Sequence, residues 1–370
     1  MGMLSRREFM AAAMSACAAT ELRCASPKRA PTVSGGAEAA GGSSSSSNSD
    51  AALDLSSASA GDVSDGASRP AESPTDASAD ADAQQDAAAG AIIDTHVHFF
   101  DPARPIPTGR PSSVPWPNPG DALYRTTLPA DYLALAKPLG ISSAIVIEAS
   151  SWLEDNQWIL DLVAGNPAFA GFVGNLSEVL GTATFDDTLT ALARNALFRG
   201  IRVFASQLTG GDPSNFASLA ATGLMIDVVG FSADLPAIAA FAQTLPSLRI
   251  VIDHVANVAI DGGAPPADWA AGIAAAGGQP NVYCKISGLV EGAGMTGAVS
   301  SDVAFYRPTL DTVWRAFGED RVLFGSNWPV SSVNAPLPTV LSIVRSYVGE
   351  KGSAASEKAF ATNARAAYGV

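Results

Sequence analysis

The sequence predicts one (β/α)8 TIM barrel, spanning residues 91–370, behind an export signal and a long polar tether. Three observations predict it. Past Gly90, short β-branched apolar runs recur eight times. Amphipathic, Ala-rich stretches of helical length separate them. Chemically capable side chains gather at the ends of the runs. Strand–helix alternation implies a parallel sheet. Near-continuous apolar strands imply burial on both faces, and eight repeats imply closure into a barrel. An open doubly wound sheet is the competing architecture, and the chain carries no Gly-Lys-Ser/Thr phosphate loop to favour it.

Residues 1–30 read as a processing signal with a net charge of +3. Ser5-Arg6-Arg7-Glu8-Phe9-Met10 precedes an apolar run, Met10 to Ala19, that is too short to span a bilayer. An Arg pair before such a run has the form of a twin-arginine signal peptide. Met14-Ser15-Ala16-Cys17 has the form of a degenerate lipobox, with Cys17 as the lipidated residue; a plain signal with incidental cysteines is the alternative. Cys24 fits worse, because Glu21-Leu22-Arg23 lacks small residues. Residues 31–90 are almost wholly Ala, Ser, Gly, Asp and Pro, with a net charge of −9 and no aromatic residue. Such a segment cannot bury enough apolar surface to offset ordering entropy, so it predicts a disordered linker. Behind a lipid anchor it would let the domain swing clear of a membrane.

The remaining residues carry a net charge of −8 and no basic stripe, which argues against a nucleic-acid partner. Cys284 is the one cysteine in this part, so no internal disulfide framework exists. The predicted strands are Ile92–His98, Ala144–Ala149, Ala170–Asn175, Gly200–Phe204, Leu224–Val229, Ile250–Val255, Val282–Ser287 and Val322–Trp328. Helical stretches include Asp155–Ala164, Leu235–Leu245, Pro266–Ala276 and Val303–Phe317.

Along these strands the polar groups are His96 and His98 on the first, Glu148 on the second, Asn175 on the third and Arg202 on the fourth. Asp227 lies on the fifth, Asp253 and His254 on the sixth, Lys285 on the seventh, Ser326 and Asn327 on the eighth. Strand C-termini form the catalytic face of a (β/α)8 barrel.

The chain has three histidines, all on predicted strands. His96 and His98 share a face by period-two alternation. With His254 they make a candidate site for a divalent metal, zinc suiting neutral imidazoles best, against the plainer reading of polar strand ends. If His254 faces the lumen, alternation turns Asp253 outward. Asp94, with the parity of His96, is either a partner of the ligands lower in the barrel or a structural hydrogen-bonding group. Arg202 and Lys285 could bind a carboxylate or polarise a carbonyl, or could form buried ion pairs with Glu148 or Asp227. Trp116, in Val114-Pro115-Trp116-Pro117, either walls a pocket or caps the barrel mouth. Cys284 has the opposite parity to Lys285 and reads as packing.

Several segments together resemble the amidohydrolase-related family of TIM-barrel hydrolases, in the branch that includes sugar-lactone and pyrone-dicarboxylate lactonases. They are Ile93-Asp94-Thr95-His96-Val97-His98, Val114-Pro115-Trp116, Gly200-Ile201-Arg202, Val251-Ile252-Asp253-His254, Val282 to Gly288, Phe324 to Val330 and Asn363-Ala364-Arg365. The resemblance implies hydrolysis of a small lactone or cyclic ester. It gives His96, His98 and His254 metal-ligand or carbonyl-polarising roles and Arg202 and Lys285 substrate-binding ones; Glu148 and Trp116 are further candidates to bind the substrate. Catalysis without a metal also occurs in this branch. Where many members hold a catalytic aspartate this chain has Asn327, and an amide is no general base. Metal-bound water, His254 or Glu148 are the candidates to take over. A metal-dependent non-oxidative decarboxylase and a non-catalytic surface binding protein are the alternatives. The implied location is the periplasm or cell envelope.

Overall fold

In the computed structural model of the chain, residues 90–210 and 213–370 are described. The twin-arginine motif, Cys17 and residues 31–89 of the tether lie outside them.

Eight parallel strands pair in sequence order: β1 (Ile92–Val97), β2 (Ile141–Ile147), β3 (Phe169–Gly174), β4 (Phe198–Phe204), β5 (Met225–Val229), β6 (Arg249–Ile252), β7 (Val282–Ile286) and β8 (Val322–Phe324). The sheet curls into a nearly closed barrel. β1 and β8 meet through one isolated parallel bridge, Val97 with Trp328, and the His98 amide donates to the Trp328 carbonyl at 2.9 Å. Thr95 Oγ1 adds a 2.6 Å bond to the Phe324 carbonyl.

The helices in chain order are α1 (Pro129–Ala136), α2 (Glu154–Val163), α3 (Phe185–Ala193), α4 (Ala205–Gly210), α5 (Pro213–Ala221), α6 (Leu235–Thr244), α7 (Ala267–Gly277), α8 (Leu289–Thr296), α9 (Val303–Phe317), α10 (Leu337–Gly349), α11 (Ser353–Glu357) and α12 (Asn363–Tyr368). The Gly292, Gly294 and Gly297 spacing falls in and just after α8, not on a strand-to-helix turn, so it forms no dinucleotide loop.

Alternation along the strands splits the apolar side chains into two layers. Ile92, Ala144, Val146 and Ile250 pack outward under the helices. Ile93, Ile145, Val173, Met225, Val251 and Leu323 fill the lumen, where Ala361, Ala364 and Tyr368 join them from the C-terminal segment. Each fully buried Ile, Leu or Val contributes about 1.5–3 kcal/mol. The C-terminus therefore plugs the barrel floor.

All eight predicted strands are present; β1, β2, β3 and β7 end one or two residues early, leaving His98, Glu148, Asn175 and Ser287 just past them, and two stop shorter still. β6 ends at Ile252 and β8 at Phe324, before the polar residues predicted to lie on them. Asp253, His254 and Asn327 consequently escape strand alternation, and the site depends on that escape.

Candidate active site

β1 delivers His96 and His98, both buried. Its register with β2 is irregular between Asp94 and Val97, so simple alternation fails there. Asp94 points instead to the helix layer. Its Oδ2 accepts from the Tyr132 hydroxyl at 2.9 Å, and its Oδ1 from the Ser326 amide at 2.8 Å. That corrects its expected shared parity with His96 and makes Asp94 a fastener across the β1–β8 seam.

The imidazoles form a directed chain. His98 Nδ1 lies 3.0 Å from the Ile147 carbonyl and 3.1 Å from the Glu148 carbonyl, so it carries the proton. Its Nε2 therefore offers a lone pair to His96 Nε2 at 3.1 Å. His96 Nδ1 in turn accepts from Lys285 Nζ at 3.1 Å. Burial, then the Arg202 charge, hold His98 down to about 3; burial, then Lys285, hold His96 well below its ordinary value. Both rings are neutral at neutral pH.

Lys285 is fully buried and faces the lumen, not the cavity at the rim. Its ammonium lies 2.5 Å from Asp227 Oδ2 and 2.9 Å from Asp253 Oδ1. The Tyr368 hydroxyl donates to Asp227 Oδ1 at 3.0 Å. One ammonium between two carboxylates divides them. Burial lifts Asp227 to about 7, whereas for Asp253 the pull of Lys285 outweighs burial and holds it well below the usual range. Asp253 thus bears the negative charge.

The outward orientation expected of Asp253 is overturned by the chain after β6. His254, Val255, Ala256 and Asn257 have φ of 52°, 46°, 55° and 49°, a left-handed turn of four consecutive non-glycine residues. Each costs about 1–2 kcal/mol relative to right-handed backbone. Trp269 Nε1, donating to the Val255 carbonyl at 2.8 Å, and Asn257 Nδ2, donating to the Gly230 carbonyl at 3.0 Å, pin it. The turn lets Asp253 and His254 both face inward. Gly288 must be glycine against it, because a Cβ there would lie 2.6 Å from the Cβ of His254. His254 Nδ1 bonds Ser287 Oγ at 2.9 Å, which leaves Nε2 for the cavity; burial lowers this ring to about 4.

These donors fit a divalent ion. Ligating atoms of His96, Asp253 and His254 lie within 4.8 Å of one another, and Asp253 Oδ2 is buried without a hydrogen-bond partner. The 3.1 Å between the Nε2 atoms of His96 and His98 is close to the edge of a tetrahedral zinc site, about 3.3 Å for Zn–N of 2.0–2.1 Å. The clustered atoms belong to His96, Asp253 and His254, and an ion there would displace the His98 or the Lys285 hydrogen bond from the His96 nitrogen it took.

Above them opens a cavity of about 830 Å³, counting its mouth. His98, His254, Arg202, Asn327 and Trp116 all line it. Arg202 Nε donates to Glu148 Oε1 at 2.8 Å, and Glu148 Oε2 is buried without a partner. The Trp116 ring stands edge-on to His98, centroids 5.9 Å apart, so it walls the pocket. Cys284 is buried packing, its thiol pushed up by desolvation.

Sequence reasoning missed Glu291, Asn257, Phe204 and Phe231, which also line the cavity. Asn327, at φ 56°, donates from Nδ2 to Glu291 Oε1 at 2.8 Å. Glu291 Oε2 has no partner, and burial raises the carboxyl to about 7. The available signal was a lone acid within the apolar run Leu289-Val290-Glu291-Gly292-Ala293.

The amidohydrolase family profile matches residues 93–370. The chain is 34% identical over 247 residues to an L-fucono-1,5-lactonase of Burkholderia ambifaria, covering 65% of this chain and 80% of that protein. To an L-fucono-1,5-lactonase of Burkholderia multivorans it is 29% identical over 286 residues, covering 72% and 92%. A crystal structure of a Burkholderia multivorans amidohydrolase with bound zinc matches with a TM-score of 0.66 and 26% identity, covering 76% of this chain and 100% of that one.

Proposed function

The chain belongs to the amidohydrolase family, and from that premise we propose that this hydrolase opens a small sugar-derived lactone. The observation that carries the reading is the meeting of Arg202, His98, His254 and Asn327 around one cavity. The two lactonase relatives supply the substrate class. Their named substrate type is a neutral polyhydroxy ring, which suits a cavity with polar groups on one side and Trp116, Phe204 and Phe231 on the other.

Neutral His98 and His254 and the Arg202 guanidinium surround the space for a lactone carbonyl, where they polarise it and stabilise the oxyanion formed when water adds. Glu148 holds Arg202 in place. The Lys285–Asp227–Asp253 triad fixes His96, and through it His98, in one tautomer. His96, Asp253 and His254 would hold a divalent ion, zinc first by donor type, with His98 adjacent. When bound, such an ion supplies Lewis-acid polarisation and a more acidic water.

The test is purified protein assayed against a panel of sugar-acid lactones that includes L-fucono-1,5-lactone, with metal content measured on the same sample. Turnover well above the spontaneous rate, lost by at least about 100-fold in His254→Ala, is expected. No turnover of any lactone would overturn the reading. The twin-arginine motif belongs to the same proposal, with the domain acting outside the cytoplasm on its tether. Replacing Arg6 and Arg7 by Lys should leave the protein inside the cell, and unchanged export would remove that part.

A further inference from the structure

We propose that Glu291 is the general base and acid of this site, the carboxyl that Asn327 cannot supply being delivered from α8. The inference rests on the hydrolase reading above and names the residue that moves the proton.

The geometry carries it. Gly288, at the N-terminus of α8 with φ 66°, lies against the backbone of His254, so the helix starts at the edge of the cavity. Glu291 follows one turn later. A Glu at this helical position often turns back toward the helix N-terminus, and here the carboxyl feels its own backbone amide. Oε1 accepts from Asn327 Nδ2 at 2.8 Å, and Oε2 is buried without a partner, on a residue 5% exposed that lines the cavity. The side chain is held at one oxygen and unpartnered at the other.

The surroundings suit proton exchange near neutrality. Burial drives the carboxyl to about 7, its own backbone amide and then the Asn327 bond drawing it back. Arg202, His98 and His254 face the same cavity from β4, β1 and the turn after β6, and Tyr306 of α9 lies behind the carboxyl. A base whose pKa matches the working pH is the effective one.

The step balances without any further reagent. Glu291 carboxylate takes a proton from water as the water oxygen bonds to the lactone carbonyl carbon. The tetrahedral adduct then collapses, the ring C–O bond breaks, and Glu291 returns its proton to the departing ring oxygen. One lactone and one water give one hydroxy acid. Asn327 is the positioning residue, orienting Glu291 by one hydrogen bond.

The test compares the wild type, Glu291→Gln and Asn327→Asp in the full-length protein. Each is assayed for lactone hydrolysis across pH, with melting temperature and the infrared carboxyl band followed over the same range. In Glu291→Gln, kcat should fall about 100-fold or more with little change in KM and an intact fold, and the acidic limb near pH 7 should vanish. Asn327→Asp places a second carboxyl against Glu291 and should move that limb upward, since two adjacent carboxyls cannot both ionise easily. Glu291→Gln within about threefold of wild type would overturn the proposal and leave the lactonase reading standing. If wild type hydrolyses no lactone, that reading falls by itself. The infrared band then decides for Glu291. A carboxyl titrating near pH 7 and missing from Glu291→Gln supports its proton-exchanging role, and absence of such a band overturns it.

Discussion

In the lumen, Lys285 lies 2.5 Å from Asp227 and 2.9 Å from Asp253, and Tyr368 closes Asp227 from below. At the rim, Glu148, Glu291 and Asn327 each keep one buried oxygen without a partner. The same burial acts on both groups. Below, an ammonium offsets the cost of desolvating carboxylates, and the network is rigid. Above, buried oxygens are left without partners near the cavity, as Asp253 Oδ2 also is where the two regions meet, and the backbone adopts left-handed conformations at His254–Asn257 and Asn327. Chemistry needs unfilled valence at a fixed position. The lumen supplies the fixed position and the rim the unfilled valence.

The largest effect should come from breaking the lumen. Lys285→Met strands the buried Asp253 carboxylate beside Asp227, and loss of one partner from a buried ion pair costs about 3–5 kcal/mol. Chemical denaturation should show a loss of that size. Adding Asp227→Asn and Asp253→Asn should recover much of it. A stability change below about 1 kcal/mol would mean the triad is not the scaffold argued here.

The rim should respond to pH in the opposite sense to an ordinary ion pair. Glu291 is raised to about 7 from a usual 4.5, mainly by burial. Between those values the folded protein keeps a proton that the unfolded chain releases, so stability falls as pH rises through this window and is flat above it. The full effect is of order 3 kcal/mol. Glu291→Gln should match wild type near pH 4 and exceed it at pH 8, as read by denaturant midpoints. Parallel curves at every pH would place Glu291 in ordinary solvent contact and erase the contrast.

The sequence made the lumen legible and left the rim half-hidden, for a physical reason. Buried parallel strands write themselves as apolar runs, so all eight could be located, and a Lys or Asp inside such a run announces itself. The rim depends on where strands stop. No glycine marks His254–Asn257, where tertiary bonds from Trp269 and Asn257 impose the left-handed turn, so the inward placement of Asp253 had no local signature. Glu291 sits on a helix whose apolar neighbours read as core. Its meeting with Asn327, 36 residues further on, exists only after β8 ends early.

The smallest effect tests how far the two regions are separable. Tyr368 reaches the lumen from α12 and gives Asp227 one hydrogen bond. Tyr368→Phe keeps the ring, and with it the floor packing and the approach of Lys285 Nζ to 5.5 Å from its centroid. Only the hydroxyl is lost, and Asp253 rather than Asp227 bears the charge, so stability should drop by about 0.5–1.5 kcal/mol, the range for an ordinary hydrogen bond. Lys285 still holds Asp227 and Asp253, so His96 keeps its donor and His98 its tautomer. Lactone kcat and KM should then stay within about twofold of wild type, because uniform destabilisation leaves transition-state interactions intact. A fall in kcat without a matching loss of stability would show that the floor tunes the imidazole chain directly, and the division between scaffold and reactive rim would have to be redrawn at Asp227.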